Sequence, residues 1–153
     1  MRIAVSTDSL DGVSEAVLAE LEGRGHTLLR FGAFDPAARP DWAWASEAAA
    51  RAVSGGAADQ AVVCCWTGTG ASIAANKVAG VRAALCTDAE TARGAREWND
   101  ANVLALSLRL TSEAALQEIL DAWFATAPSR DPADVANIAH VGAIGPGGQS
   151  AVG

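Results

Sequence analysis

The sequence predicts a doubly wound α/β fold: five parallel strands in the order 2-1-3-4-5, flanked by helices in a three-layer, Rossmann-like single domain over residues 1–142. Three observations predict it. Short apolar runs alternate strictly with helical stretches five times along the chain, and glycines or small polar residues separate them. With 153 residues, half of them hydrophobic, the chain is long enough to bury one continuous core. Residues 143–153 are expected to form a flexible C-terminal tail, because Gly145-Pro146-Gly147-Gly148-Gln149-Ser150 is a low-complexity run.

Each element has its own signal. Arg2 to Ser6 reads as a short buried strand, broken by the polar turn Thr7-Asp8-Ser9. Val13, Val17 and Leu21 recur at helical spacing, and Gly23 and Gly25 end that helix before a second strand from Thr27 to Phe31. A loop from Phe34 to Pro40 leads to Asp41, placed to cap an alanine-rich helix that reaches Val53 and stops at Gly55-Gly56. Ala61 to Cys65 is an apolar strand buried on both faces, followed by a glycine loop and a helix starting near Gly70 or Ala71. Val81 to Cys86 makes a fourth strand, and Thr87 or Asp88 caps a helix ending near Trp98. Asn102 to Leu106 is the fifth strand. Ser112 to Ala125 is the last long helix, with Ala115, Leu116, Ile119, Leu120 and Trp123 on its apolar face. The remainder reads as a polar tail.

Composition narrows the function. A net charge of −7 argues against nucleic acid or an anionic membrane as partner, since both require a basic face. No apolar run reaches the ~20 residues that span a bilayer. Three cysteines, two of them adjacent, do not make a disulfide framework, so a reducing, cytoplasmic setting is expected. No metal or cofactor motif stands out. The frame of a nucleotide phosphate loop is absent, and Ile73 occupies the third glycine slot of a dinucleotide fingerprint.

Chemistry is expected at the stretch Cys65-Trp66-Thr67-Gly68-Thr69-Gly70-Ala71-Ser72. Glycines there let consecutive N–H groups converge, and the following helix adds the positive end of its dipole. A thiolate, an enediolate or a phosphate would be stabilised at such a spot. Cys64 and Cys65 point to opposite faces, so at most one is reactive; the other reading makes both small core residues. Strands 1 and 3 are neighbours at the switch point, which brings Asp8 beside the Cys65 loop. Asp8 then either caps the first helix or serves in the crevice, where a carboxylate, a thiol, the Thr67 hydroxyl and an amide nest suit proton transfer beside a carbonyl.

At this level of detail the chain resembles the family of ribose-5-phosphate isomerase B and galactose-6-phosphate isomerase over nearly its whole length. The matching pieces are Arg2-Ile3-Ala4-Val5 with Asp8, Arg24-Gly25-His26, Cys65-x-Thr67-Gly68-x-Gly70 with Ser72-Ile73-Ala74-Ala75-Asn76-Lys77, Arg82-Ala83-Ala84-Leu85-Cys86, and Asn99-Asp100-Ala101-Asn102-Val103-Leu104. The resemblance implies a homodimer, or a larger assembly of dimers, with active sites between subunits. It also implies metal-free interconversion of an aldose and a ketose phosphate through a cis-enediolate. Cys65 matches the base, and Thr67 with the amides from Trp66 to Gly70 matches the groups that hold the enediolate. Asp8, Ser9, Thr69, Ser72, Trp98, Asn99, Arg109 and Arg130 fall on substrate-binding positions.

Departures from the family pattern fall on the site. Ser9 and Trp98 stand where the family has histidines, the second being the one that opens the sugar ring. Trp66 replaces a loop glycine, and Asp134 replaces a phosphate-binding arginine four residues after Arg130. Trp42 and Trp44 border the family pocket, whereas Trp123 reads as core. Two hypotheses follow. The protein is an isomerase with Cys65 as base acting on a less phosphorylated or more apolar carbonyl compound, or it is a non-catalytic relative that binds a small molecule or a partner chain.

Overall fold

A computed structural model describes residues 1–144. Its elements alternate as the sequence predicts: β1 (Arg2–Thr7), α1 (Ser14–Gly23), β2 (Thr27–Gly32), α2 (Trp42–Ser54), β3 (Gln60–Cys65), α3 (Thr69–Asn76), β4 (Ala83–Leu85), α4 (Ala89–Asn99), β5 (Val103–Ser107), α5 (Glu113–Ala125) and α6 (Pro132–Ala143). All strand pairs are parallel.

The strand order is β2-β1-β3-β5-β4, so the last two strands are exchanged relative to the expected order. Burial supplies the physical reason. Every residue of β5 is buried, as suits a strand flanked on both sides, whereas β4 has only three residues, all half-buried. Short strands belong at edges. The open side of β4 is closed by Asn76, whose amide donates to the Ala83 carbonyl at 2.8 Å and accepts from the Ala83 N–H at 2.9 Å.

Apolar residues pack on both faces of the sheet. One face gathers Ile3, Val5, Val62, Cys64, Leu104 and Leu106 under α1, α4 and α5. The other gathers Ala4, Ala61, Val63, Cys65, Val103 and Ala105 under α2 and α3, where small residues let the helices approach closely. Cys64 and Cys65 therefore do lie on opposite faces. Trp123 is core, and its indole N–H donates to Gln60 Oε1 at 2.8 Å, so burial leaves no orphaned donor.

Two local expectations are corrected. Asp41 precedes α2 but does not cap it through its side chain, because its carboxylate is held by Arg39 Nε at 2.6 Å. The chain after α5 is not a plain polar tail: Asp131 accepts the Ala133 N–H at 2.8 Å, Pro132 occupies the first turn, and α6 follows as far as Ala143. Of the two expected candidates Asp88 caps α4, accepting the Thr91 N–H, and Ser112, expected only to begin α5, caps it by accepting the Ala115 N–H. The low-complexity run at 145–150 lies outside the described residues.

His26 packs its ring against Phe124 with centroids 4.5 Å apart, and both ring nitrogens are buried without a partner. Burial first, then the positive charges of the N-terminus and Arg24, lowers its pKa below the usual 6.5. A folded state that binds protons less readily than the unfolded chain loses stability as pH falls. Urea midpoints should therefore drop as pH goes below 6.5, and His26→Leu should reduce that drop relative to the native protein.

Candidate active site

The site is built where β3 turns into α3. Gly68 makes the turn with φ of +75° and is the N-terminal cap of the helix. A Cβ at Gly68 would lie 2.5 Å from Leu85 Cδ1 and 2.8 Å from the Leu106 carbonyl carbon, so both backbone angle and space demand glycine. Gly70, already helical, is needed for a different reason: a Cβ there would lie 2.9 Å from the Trp42 ring. The indole of α2 thus lies against the first turn of α3.

Helix α3 aims its free first-turn amides at the carboxyl edge of the sheet. The Ala71 N–H donates to Cys65 Sγ at 3.4 Å, so the sulfur of the last β3 residue sits under the positive end of the helix. Cys65 is almost fully buried. The Thr67 and Thr69 hydroxyls lie 2.7 Å apart on the exposed side of the turn, and Ser72 is half-buried one turn further in.

Loops from the neighbouring strands complete the rim. Ser107 Oγ and the Arg109 N–H both donate to the Trp66 carbonyl, at 3.0 and 3.2 Å, and the Leu108 N–H donates to the Cys65 carbonyl at 3.0 Å. Arg109 is exposed beside them. The Trp66 ring stands half in solvent at 54% exposure. From β1, Asp8 and Ser9 are both half-buried; Ser9 Oγ accepts the Asp11 N–H, and its carbonyl accepts the Thr7 hydroxyl at 2.8 Å. Asp8 does not cap α1, whose N-terminal residue Val13 makes no side-chain cap, so the capping alternative is overturned.

Burial raises the Asp8 carboxyl above the ordinary 3.8, outweighing backbone amides, among them those of Trp66 and Ser9, that favour the charged form. Burial likewise drives the Cys64 thiol up, with Cys65 and Asp8 adding to the effect. Cys86 is pushed up to about 12 by burial and Asp88. Both are inert thiols of the core. Among the described residues no cluster of three or more His, Cys, Asp or Glu could hold a metal ion.

Asp8, Ser9, Cys65, Trp66, Thr67, Gly68, Thr69, Gly70, Ser72 and Arg109 thus gather on three adjacent loops. Trp98, Asn99 and Arg130 do not join them. Helix α4 starts at the carboxyl edge and ends at the opposite edge, where Arg82 Nε donates to the Asn99 carbonyl at 3.1 Å. The Ser129 N–H donates to the Glu97 carbonyl at 2.7 Å, which puts Arg130 at that same far edge. There Trp98, Arg82, Asn76, Asn137 and Val141 line a cleft of about 260 Å³. The Ser107 contact was missed in the sequence, because pairing across strands leaves no local pattern; Trp42, expected only to border the pocket, lies against Gly70 itself.

A glycine turn at the switch point, a thiol under a helix N-terminus and a carboxyl at the adjoining strand define a doubly wound α/β protein with a candidate acid–base crevice at its carboxyl edge. The chain belongs to the ribose/galactose isomerase family, whose profile matches residues 3–139. It is 42% identical over 103 residues to galactose-6-phosphate isomerase subunit LacB of Clostridium acetobutylicum, a match covering 67% of this chain and 59% of that relative, so less than two thirds of the relative's length is spanned. It is 38% identical over 107 residues to ribose-5-phosphate isomerase B of Escherichia coli, covering 70% of this chain and 71% of that one. Among solved structures, ribose-5-phosphate isomerase B of Clostridium thermocellum superposes with a TM-score of 0.82 at 34% identity, over 93% of this chain and 95% of the other.

The turn sets a stability test. Gly68→Ala should cost about 1–3 kcal/mol through its backbone angle, with the clash against β5 adding to it. Thermal melting of this variant beside Gly23→Ala, a site with no atom within 4 Å of the added Cβ, checks that the loss belongs to the turn.

Proposed function

We propose that the protein is an aldose–ketose isomerase, or catalyses a closely related keto–enol proton transfer, with Cys65 as the base and no metal in the reaction. The observation that carries the reading is the Ala71 N–H aimed at Cys65 Sγ, 3.4 Å away, at the head of a glycine-turned helix. A thiolate held there takes the proton from the carbon next to a carbonyl. The electron pair moves onto the oxygens as a cis-enediolate, held by the free amides of the turn and by Thr67. The thiol then returns the proton to the neighbouring carbon, and the carbonyl has moved by one position.

Asp8, Ser9, Trp66, Gly68, Thr69, Gly70, Ser72 and Arg109 bind the substrate from one chain, and Trp98, Asn99 and Arg130 from a second. A single chain holds these two groups at opposite edges of its sheet, which supports a homodimer with two shared sites. The substrate is a small carbonyl compound, less phosphorylated or more apolar than a pentose phosphate. Ser9 and Trp98 at the family's histidine positions, Trp66 at a glycine and Asp134 at an arginine each remove positive charge or add aromatic surface. A ring stacked on an indole gains ~0.5–1.5 kcal/mol beyond its buried area, which a phosphate does not. No helix among the described residues is long and apolar enough to cross a membrane, and we assign the protein to the cytoplasm without nucleic-acid partners.

Proton exchange with deuterium oxide, followed by NMR, tests the base. Cys65→Ala should abolish exchange at the carbon next to the carbonyl while leaving the melting temperature near native; undiminished exchange removes Cys65 from the role. Ribose 5-phosphate should be turned over at least ~10²-fold below ordinary family rates, the lower bound of what a positioned acid or base contributes. Sedimentation equilibrium at micromolar concentration should give a dimer, and a monomer alone would rule out the shared site.

A further inference from the structure

The isomerisation proposed above moves protons on oxygen as well as on carbon, and Cys65 accounts only for the carbon side. Removing the C2 proton of an α-hydroxy aldehyde leaves negative charge on O1. The ketose product needs a proton on O1 and none on O2. Backbone amides stabilise the charge but give up no proton. The Arg109 guanidinium is a planar hydrogen-bond donor suited to holding an anion. The Thr67 and Thr69 hydroxyls, 2.7 Å apart, can donate a hydrogen bond to an oxyanion, but an aliphatic hydroxyl does not give up its proton outright. Of the chain's two histidines, His26 is held against Phe124, and His140 lies on α6, away from the Cys65 turn of its own chain.

One titratable group remains beside the turn. Asp8 follows β1, the strand paired directly with β3, and its carboxyl faces the Trp66 amide next to Cys65. Its Oδ1 is buried without any hydrogen-bond partner among the described residues. A buried, unpaired carboxyl oxygen costs free energy that folding alone does not recover, since α1 does not use it as a cap. Burial also raises its proton affinity, the property a proton donor needs.

We propose that Asp8 is the acid–base catalyst of the oxygen side of this reaction. As Cys65 takes the proton from C2, the Asp8 carboxyl gives its proton to O1, which becomes a hydroxyl. As Cys65 returns its proton to C1, the Asp8 carboxylate takes the proton from the O2 hydroxyl, and the C2 carbonyl forms. Both groups end as they began, and no oxidant or other reactant is consumed. The assignment rests on the isomerase reading and adds the residue that couples enediolate formation to net conversion.

Exchange and conversion, measured together in deuterium oxide, separate Asp8 from a residue that only binds. The probes are D-ribose 5-phosphate, D-galactose 6-phosphate and the unphosphorylated, aromatic 2-hydroxy-2-phenylacetaldehyde. In Asp8→Asn, conversion of aldose to ketose should fall by ~10²-fold or more. Deuterium entry at C2 should fall far less, because an enediolate that cannot shift its oxygen proton collapses back to the starting aldose. The ratio of exchange to conversion should thus rise about tenfold or more, and Asp8→Glu, which keeps a carboxyl, should hold a ratio near native. Exchange and conversion falling in parallel in Asp8→Asn, or neither falling, would overturn the assignment. If Cys65→Ala retains exchange, the carbon-side base is wrong whatever Asp8 does. If the native protein gives neither exchange nor conversion with any probe, the isomerase reading and the Asp8 assignment fall together.

Discussion

Everything at the site depends on a backbone constraint: at Gly68 the chain must leave β3 and enter α3 within a space that admits no side chain. With Leu106 of β5 and Leu85 of β4 pressed against it, the left-handed angle fixes the helix axis relative to the strand. That angle brings the Ala71 amide over Cys65 Sγ. A helix started one residue later or tilted away would leave the sulfur without that N–H contact. Two adjacent cysteines of the same strand thus have different surroundings, because the turn brings a helix amide to only one of them.

The turn is in turn braced from both sides. Trp42 lies on Gly70 from α2, and the last residue of β5 and the loop after it each donate once to the Trp66 carbonyl. These contacts are polar on one flank and apolar on the other, so the amides facing the site are immobilised without occupying their donors. Pre-set donors are what stabilise a developing oxyanion without reorganising when charge appears.

Much of this was legible in the sequence because it is local. The alternation of apolar runs, the cap at Asp88, and the Cys65 to Gly70 stretch each carry their signal within a few residues. The order of β4 and β5 was not, because both strands follow the same β-α rhythm and only relative burial separates them. Helix α6 was passed over although Asp131-Pro132 is a start signal, since it buries no residue fully and has only Asp134, Ile138 and Ala143 half-buried, which leaves a weak apolar stripe. Placement of Trp98, Asn99 and Arg130 at the far edge follows from the direction of α4, which a motif aligned by position does not encode.

The amide of Asn76 at the edge of β4 has a consequence for how copies of this protein meet. By mimicking a strand partner at Ala83, it uses up the backbone groups on which another chain's strand would begin to add. Strand addition at Ala83 is blocked by one side chain, that of the last residue of α3. Any assembly of copies is thereby left to side-chain surfaces, where geometry can close on a finite number of subunits instead of running on as a fibre.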